Sequence, residues 1–422
     1  MDWDLPEELA QLQASVRRLA QDKVKPRARE IDETGAYPED LFALFGQAGL
    51  LGLGLPVEYG GGGAGTLGLT IAIEEVAKYS NTAALMLLLS RLPTGPLLIA
   101  GTEAQKQRYL PGIAAGTTRA AFGLSEPQAG SDVAAMQTRA ERIDGGWRLN
   151  GGKCWMSGVV QADWYTVFAK TAGTTPAGSA GSAESAAGSG SPGSGFPGSD
   201  SGSGTGLGSD SERRSITAFI VDRSTPGVEV GTLDRKMGVR GVDTGELLLH
   251  DVAVPDDNVI GEVGGFRLAM LGLNAMRPLV AARGIGLAEG ALMYATEYAE
   301  QRAAFGQHVA DFQGIQWEVA RLAAEIEAAR LLTYRAASYA DQGRYTKEWV
   351  PFLSIAKYYA TELAVRASGV ALQMLGAAGY MKDHLTELYY RDAKQLTIVE
   401  GTTQIQLGLI ARGVRDRDLW WD

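Results

Sequence analysis

A single cysteine, Cys154, in 422 residues excludes an internal disulfide framework and a thiolate zinc centre. The three histidines, His250, His308 and His384, are too scattered for ligand spacing. Metal and Cys–His chemistry are therefore not expected. Positive charge is the scarcer sign: 39 Lys and Arg against 49 Asp and Glu leave a net charge of -10. That balance opposes a general nucleic-acid surface, which needs basic groups to displace counterions. Long apolar runs are also missing. The stretch 83–89 is among the longest and falls far short of the roughly 20 residues that span a bilayer. The opening Met1-Asp2-Trp3-Asp4 lacks a basic region followed by an apolar run, so no secretory leader is expected and the cytoplasm is the expected compartment. Neither nucleic acid nor membrane is expected as a partner.

With 45% hydrophobic residues, the chain can bury a large core spread over two or three domains. Leu9, Leu12, Val16 and Leu19 recur every three or four residues and predict an amphipathic helix that Pro26 interrupts or kinks. A flexible glycine run at 60–63 precedes a second helical stretch, 67–79. Thr102 and Gln105 form a capping-box pattern that predicts a helix running to Leu110, before Pro111. From Ala120 the pattern changes. Trp147 follows an Asp144-Gly145-Gly146 turn, and 164–170 and 216–222 are short β-branched and aromatic runs. Helical spacing returns after Pro255, with Ile315, Val319, Leu322 and Ile326 on one stripe and long helices predicted over 267–375. The expected division is a helical domain at 1–118, a middle β domain at 119–254 and a helical bundle at 255–422. Residues 172–212 are almost wholly Gly, Ser, Ala and Pro, a composition unable to bury enough surface to offset ordering entropy, and read as a disordered insertion that activity does not need.

Five segments carry chemistry. In the first, Gly123-Leu124-Ser125-Glu126-Pro127-Gln128-Ala129-Gly130-Ser131-Asp132, an apolar strand runs into a turn able to offer backbone N–H groups and a hydroxyl to an oxygen-rich planar ligand. The second, Asn150-Gly151-Gly152-Lys153-Cys154-Trp155-Met156-Ser157-Gly158, sets an aromatic ring beside a hydroxyl. In the third, Arg302, Phe305 and Gln313 place a guanidinium, a ring and an amide close together, and the arginine fork matches pyrophosphate oxygens. The fourth, Gln373-Met374-Leu375-Gly376-Ala377-Ala378-Gly379-Tyr380, contains small residues that allow close backbone approach. The last, Ile398-Val399-Glu400-Gly401-Thr402-Thr403-Gln404-Ile405-Gln406, sets a carboxylate beside a glycine and two hydrogen-bonding side chains. Such a carboxylate suits proton abstraction alpha to a carbonyl when a dry pocket raises its pKa toward working pH.

These segments, in this order, resemble the acyl-CoA dehydrogenase family of flavoproteins. The resemblance implies a mostly α architecture with a central β domain, the family's arrangement of a helical domain, a β-barrel-like domain and a helical bundle. It implies FAD held by Phe122, Leu124, Ser125, Trp155, Ser157, Arg302, Phe305, Gln313, Gln373, Gly376, Thr402 and Gln404, with the pyrophosphate and adenine end often crossing a subunit boundary. It implies acyl-CoA contacts at Ser131, Asn274 and Arg277, and Glu400 as the base. Some family members carry the base just before the arginine, but Met276 stands there and cannot accept a proton.

The implied reaction removes the α-proton and the β-hydride to give a trans-2-enoyl thioester. Electrons then pass to electron-transferring flavoprotein, from an enzyme expected to be a homotetramer. The alternative is an acyl-CoA oxidase or flavin oxygenase on the same scaffold. The sequence departs from the family pattern at Ala377, Leu388, Val399, where tyrosine is frequent, and Val242. Arg91 falls in the stretch that often lines the acyl cavity; it either faces solvent or, facing the cavity, can pair with an acidic acyl tail.

Overall fold

Helix α1 (Glu7–Leu19) buries Val16 and half-buries Leu12 and Leu19 against one large apolar cluster. The chain then loosens into a π turn and a 3-10 turn around Pro26 before α2 (Ala28–Thr34) resumes, because proline lacks the N–H that the α ladder needs. These coordinates belong to a computed structural model that describes residues 5–171 and 215–419. The predicted insertion at 172–212 lies outside the described residues.

Helix α3 (Glu39–Gln47) leads to the glycine run at 60–63, which is not a free linker. Its four N–H groups donate to Val57, Pro56, Gly52 and Leu55 carbonyls at 2.9–3.1 Å, so the turn is fixed by backbone bonds that composition does not reveal. Helices α4 (Gly65–Ala77), α5 (Asn81–Leu89) and α6 (Gly95–Ala100) follow. The expected capping box opens α7 (Glu103–Ala114), with Gln105 N–H donating to Thr102 Oγ1 at 3.2 Å and Thr102 N–H to Gln105 Oε1 at 2.9 Å. This helix does not stop before Pro111. The proline removes one hydrogen bond near the end, and Ala115 N–H still closes the last turn on Pro111 O at 3.0 Å.

The middle of the chain forms an eight-stranded sheet: β1 (Ala120–Gly123), β2 (Arg139–Ile143), β3 (Gly146–Ser157), β4 (Trp164–Thr171), β5 (Ile216–Asp222), β6 (Val228–Leu233), β7 (Thr244–Pro255) and β8 (Val259–Ile260). Their order is β6-β7-β3-β2-β4-β5-β8, with β1 pairing parallel to β4. Strand β4 shows why both faces of the sheet are covered. Tyr165, Val167 and Ala169 enter one apolar cluster while Trp164 and Phe168 enter another, as the two-residue strand period requires.

Five helices complete the described chain: α8 (Phe266–Gln301), α9 (Gln313–Asp341), α10 (Val350–Leu375), α11 (Thr386–Leu396) and α12 (Thr403–Arg415). A short hairpin of β9 (Ala303–Ala304) and β10 (Gln307–His308) separates α8 from α9. Helix α8 meets α4 with almost no gap. A Cβ on Gly286 would stand 2.2 Å from Glu74 O, and one on Gly290 1.9 Å from Lys78 O, so only glycine allows the approach. The first and last helical regions therefore share one core, joining α1, α4 and α5 to α8, α10 and α11. No helix among the described residues is long and apolar enough to cross a membrane.

Candidate active site

Two of the five chemical segments lie on the sheet, and a third forms the turn between the last two helices. The first runs from β1 into the turn closed by the Glu126–Ala129 bridge. Glu126 anchors this turn. Its carboxylate accepts from Thr138 N–H at 3.1 Å and from the buried Lys153 ammonium at 2.6 Å. Lys153 lies on β3, and the next residue, Cys154, donates its N–H to Ser125 O at 3.0 Å. The first and second segments are thereby stitched together.

Trp155 sits where the β3–β7 register slips between Lys153 and Met156. Its φ is 56° and its side chain is 56% exposed, between buried Cys154 and Met156. A bulky residue at positive φ is strained, and such strain persists where neighbouring structure imposes it. Ser157 follows, half-buried and paired in register with Thr244.

Glu400 lies in the turn between α11 and α12, also at positive φ, 51°, followed by Gly401 at 92°. The turn is held from inside the bundle. Lys357 Nζ on α10 donates to Gly401 O at 2.8 Å, and Gln406 Nε2 donates to Gly401 O at 3.1 Å. Glu400 Oε2 is buried without a hydrogen-bond partner. Burial raises its carboxyl pKa to about 7, opposed by the attraction of Arg283, Lys357 and Arg277. Desolvation of the carboxylate thus outweighs three nearby cations.

Those cations are themselves positioned. Arg277 on α8 donates from Nη1 to Ser354 Oγ at 2.9 Å, and its Nε is buried without a partner. Arg283, one and a half turns on, bonds Asn81 Oδ1 at 2.9 Å and Gln395 Oε1 at 2.8 Å. Burial lowers Lys357 to about 8, against the pull of Glu400.

The remaining predicted residues fall into separate places. Phe122 is half-buried and tilts against Phe168 at 5.3 Å between ring centroids. Leu124 belongs to the apolar core and offers its carbonyl to Lys153 at 3.3 Å. Thr402 caps α12, accepting from Ile405 N–H at 3.4 Å, and Gln404 is exposed beside it. Ser131 is exposed on the turn after the first segment, whereas Asn274 is buried and donates to Tyr345 O at 3.0 Å.

Arg302, Phe305 and Gln313 are all exposed at the β9–β10 hairpin and the start of α9, with Phe305 97% exposed at φ 52°. Across a cavity of about 290 Å³ lined by Ala299, Ala310, Ile315 and Met374 lies the end of α10, where Gln373 and Gly376 are exposed. Among the described residues, no hydrogen bond joins this group to the Trp155 strand.

Sequence reading missed Lys357, Arg283 and Ser354 and gave no role to Gln406, which lies in the last segment; these side chains fix and polarise the Glu400 turn. The available signal was a lysine and a serine at positions 357 and 354 of an otherwise apolar helical run, which places charge on a buried face.

The helical core shared across the ends of the chain, the central sheet with its strained exposed tryptophan and the half-buried carboxyl between helices belong to an oxidoreductase of the acyl-CoA dehydrogenase class, a family of flavoproteins. The chain belongs to that family: models of its N-terminal, middle and C-terminal domains match residues 6–117, 121–191 and 264–415. A probable acyl-CoA dehydrogenase of Mycobacterium leprae is 36% identical over 413 residues, covering 98% of this chain and 96% of that protein. Butyryl-CoA dehydrogenase of Megasphaera elsdenii is similar in structure with a TM-score of 0.86 at 33% identity, covering 98% of this chain and 100% of that one. A glutaryl-CoA dehydrogenase solved with glutaryl-CoA has the same TM-score and identity, covering 99% of this chain and 97% of the other.

Proposed function

We propose that the chain binds FAD and oxidises the α,β carbon–carbon bond of an acyl-CoA thioester to the trans-2-enoyl thioester, with Glu400 taking the α-proton. The observation that carries this reading is the Glu400 carboxyl: half-buried, with Oε2 out of solvent and without a partner, and raised to about 7. A base with that value is largely ionised just above neutral pH and still accepts a proton readily. Arg277, Arg283 and Lys357 favour its charged form without occupying the free oxygen.

Several features of this chain fit a flavin. Trp155 presents a ring to open space from a strand whose neighbouring residues are buried. A Cβ added to Gly376 would meet no atom within 4 Å, which leaves room for a group lying against the backbone. Ser125, Ser157, Thr402 and Gln404 supply hydrogen-bonding groups, and Phe122 and Leu124 supply apolar contact. Arg302, Phe305 and Gln313, with Gln373 and Gly376, suit the pyrophosphate and adenine end. Their full exposure supports completion of that site by a second subunit in a homotetramer. When bound, the flavin supplies the acceptor for the hydride that leaves the β carbon. Ser131, Asn274 and Arg277 are the proposed acyl-CoA contacts.

Negative charge that grows on the thioester oxygen during α-proton removal needs a donor already in place. The Glu400 N–H has no backbone acceptor among the described residues and is the proposed donor. Electron-transferring flavoprotein is the proposed acceptor of the electrons, and 1–118, 119–254 and 255–422 the proposed domains. The decisive experiment is anaerobic bleaching of the purified yellow protein by a panel of acyl-CoA thioesters. Glu400→Gln is expected to retain FAD and lose bleaching; near-normal bleaching in that variant ends the assignment.

A further inference from the structure

Arg91 follows the last turn of α5, and among the described residues no carboxylate makes a hydrogen bond or ion pair with its guanidinium. Its Nε and Nη1 are buried without a hydrogen-bond partner. Asp341 and Tyr345 are the groups whose charge it feels. The Asp341 carboxylate, however, is already engaged at the start of α4, accepting from Thr66 N–H at 2.5 Å and Leu67 N–H at 3.0 Å. Burial lowers the Arg91 pKa only to about 10, so the group is a cation at neutral pH.

Its location ties it to the Glu400 site. A Cβ placed on Gly95 would stand 3.9 Å from Arg91 Nη1 and equally 3.9 Å from Met276 Cε. Met276 precedes Arg277, one of the cations acting on Glu400. Leu88 and Met276 belong to the same apolar cluster as Leu92 and Val399, the residue before Glu400. The sequence has valine at 399, where the family often has tyrosine. Arg91 is thus a cation beside Met276, a residue of the helix that also carries Arg277 and Arg283, two of the cations acting on Glu400. An arginine fork left without an acceptor beside an apolar cluster is unfavourable, and a carboxylate is the group whose two oxygens match it.

This inference rests on the reading of the site as an acyl thioester dehydrogenase, since that reading supplies the thioester end at Glu400. We propose that Arg91 receives the terminal carboxylate of a dicarboxylic acyl thioester and selects that substrate class over simple fatty acyl thioesters. A monocarboxylic chain of equal length leaves the guanidinium unpaired. A dicarboxylic one neutralises it and places its own charge where the apolar cluster would otherwise reject it.

The test compares glutaryl-CoA with pentanoyl-CoA, and succinyl- and adipyl-CoA with butyryl- and hexanoyl-CoA, on the FAD-loaded protein. The readouts are the rate of anaerobic flavin bleaching and, in the Glu400→Gln variant, the dissociation constant of each thioester. The dicarboxylic member of at least one pair is expected to be preferred by about 100-fold, as for a desolvated charge pair. Arg91→Met is expected to collapse that ratio toward one, and Arg91→Lys, which keeps charge without the fork, to give an intermediate ratio. The proposal is overturned if every pair is handled equally by the wild-type protein, or if the ratio survives in either substitution that retains FAD. The two readings fail separately. Bleaching by monocarboxylic thioesters alone removes the role of Arg91 and leaves the dehydrogenase. Arg91-dependent binding of glutaryl-CoA with no bleaching by any thioester removes the dehydrogenase and leaves the carboxylate site.

Discussion

Two groups of buried charge stand side by side in the helical core and are built on opposite plans. Between α4, α8 and α9, each ion has an opposite neighbour. Arg330 Nε meets Glu74 at 2.7 Å and its other nitrogens reach Glu289 and Glu327, while Lys78 meets Glu75 at 3.0 Å and Glu289 at 2.7 Å, and Arg17 meets Glu75 at 3.0 Å. Around Glu400 the charges are near one another but not in contact: Glu400 Oε2 and Arg277 Nε are buried and unpaired. Mutual pairing offsets the cost of burial and fixes how helices meet. Charges held apart keep their capacity for something that arrives from outside. Pairing in the first group joins helices, although Glu74 Oε2 is likewise buried without a hydrogen bond, whereas Glu400 and Arg277 have no ion-pair contact at all among the described residues.

The comparison breaks most visibly at its extremes. Glu400→Gln is expected to lower turnover by roughly three decades, as for removal of a positioned base, with FAD content and unfolding temperature held; stopped-flow flavin reduction measures the first and absorbance of the purified protein the second. Glu75→Leu is expected to do the reverse. It removes a fully buried carboxylate shared by Lys78 and Arg17, leaving Lys78 with Glu289 alone, so stability measured by denaturant unfolding falls by about 3 kcal/mol. A stable Glu75→Leu protein would show that the paired group is dispensable.

The pH dependence sharpens the contrast further. The Glu400 carboxyl sits above its ordinary value in the folded protein. Its activity as a base therefore rises with pH through about 7, and kcat/KM for a fixed substrate should follow. Lys357→Met removes a cation that favours the carboxylate, so the rising limb should move to higher pH; an unchanged limb would detach Lys357 from Glu400. Stability runs with the opposite sign. The folded state holds this proton more tightly than the unfolded chain, so the associated stabilisation is complete below about 4.5 and is lost as pH rises through about 7. In Glu400→Gln that loss is absent, and its unfolding temperature at pH 8 should equal or exceed that of the wild type. The smallest effect is expected far from both groups, where Thr102→Ala removes the cap of α7 and costs about 1 kcal/mol.

Local patterns were enough to read much of this molecule. The Leu12, Val16 and Leu19 stripe, the Thr102 cap and the runs at 164–170 and 216–222 appear as helix α1, helix α7 and strands β4 and β5, because spacing and capping act within a few residues. The order of helices, sheet and helices follows from the same signals. What escaped depends on contacts between distant segments. The glycine run at 60–63 looks loose until its N–H groups are seen bonded to carbonyls at 52–57, and Pro111 looks like a stop until α7 is seen to continue past it. Glu126 lies within a recognisable segment, yet only the structure shows it held by Lys153 from β3. Lys357 is separated from Gly401 by 44 positions and lies in none of the five segments. Arg91 carried two open alternatives in the sequence; in the structure the residue is half-buried, with Nε and Nη1 out of solvent.

One bond on the sheet has a use beyond this enzyme. Thr171 N–H and Thr171 Oγ1 both donate to Ser215 O at 2.7 Å, so the chain departs from β4 and returns to β5 through a single doorway. Whatever is spliced between those two residues puts no tension on the strands, provided its own ends meet. A reporter with adjacent termini could be carried there as cargo, leaving the catalytic scaffold unaware of it.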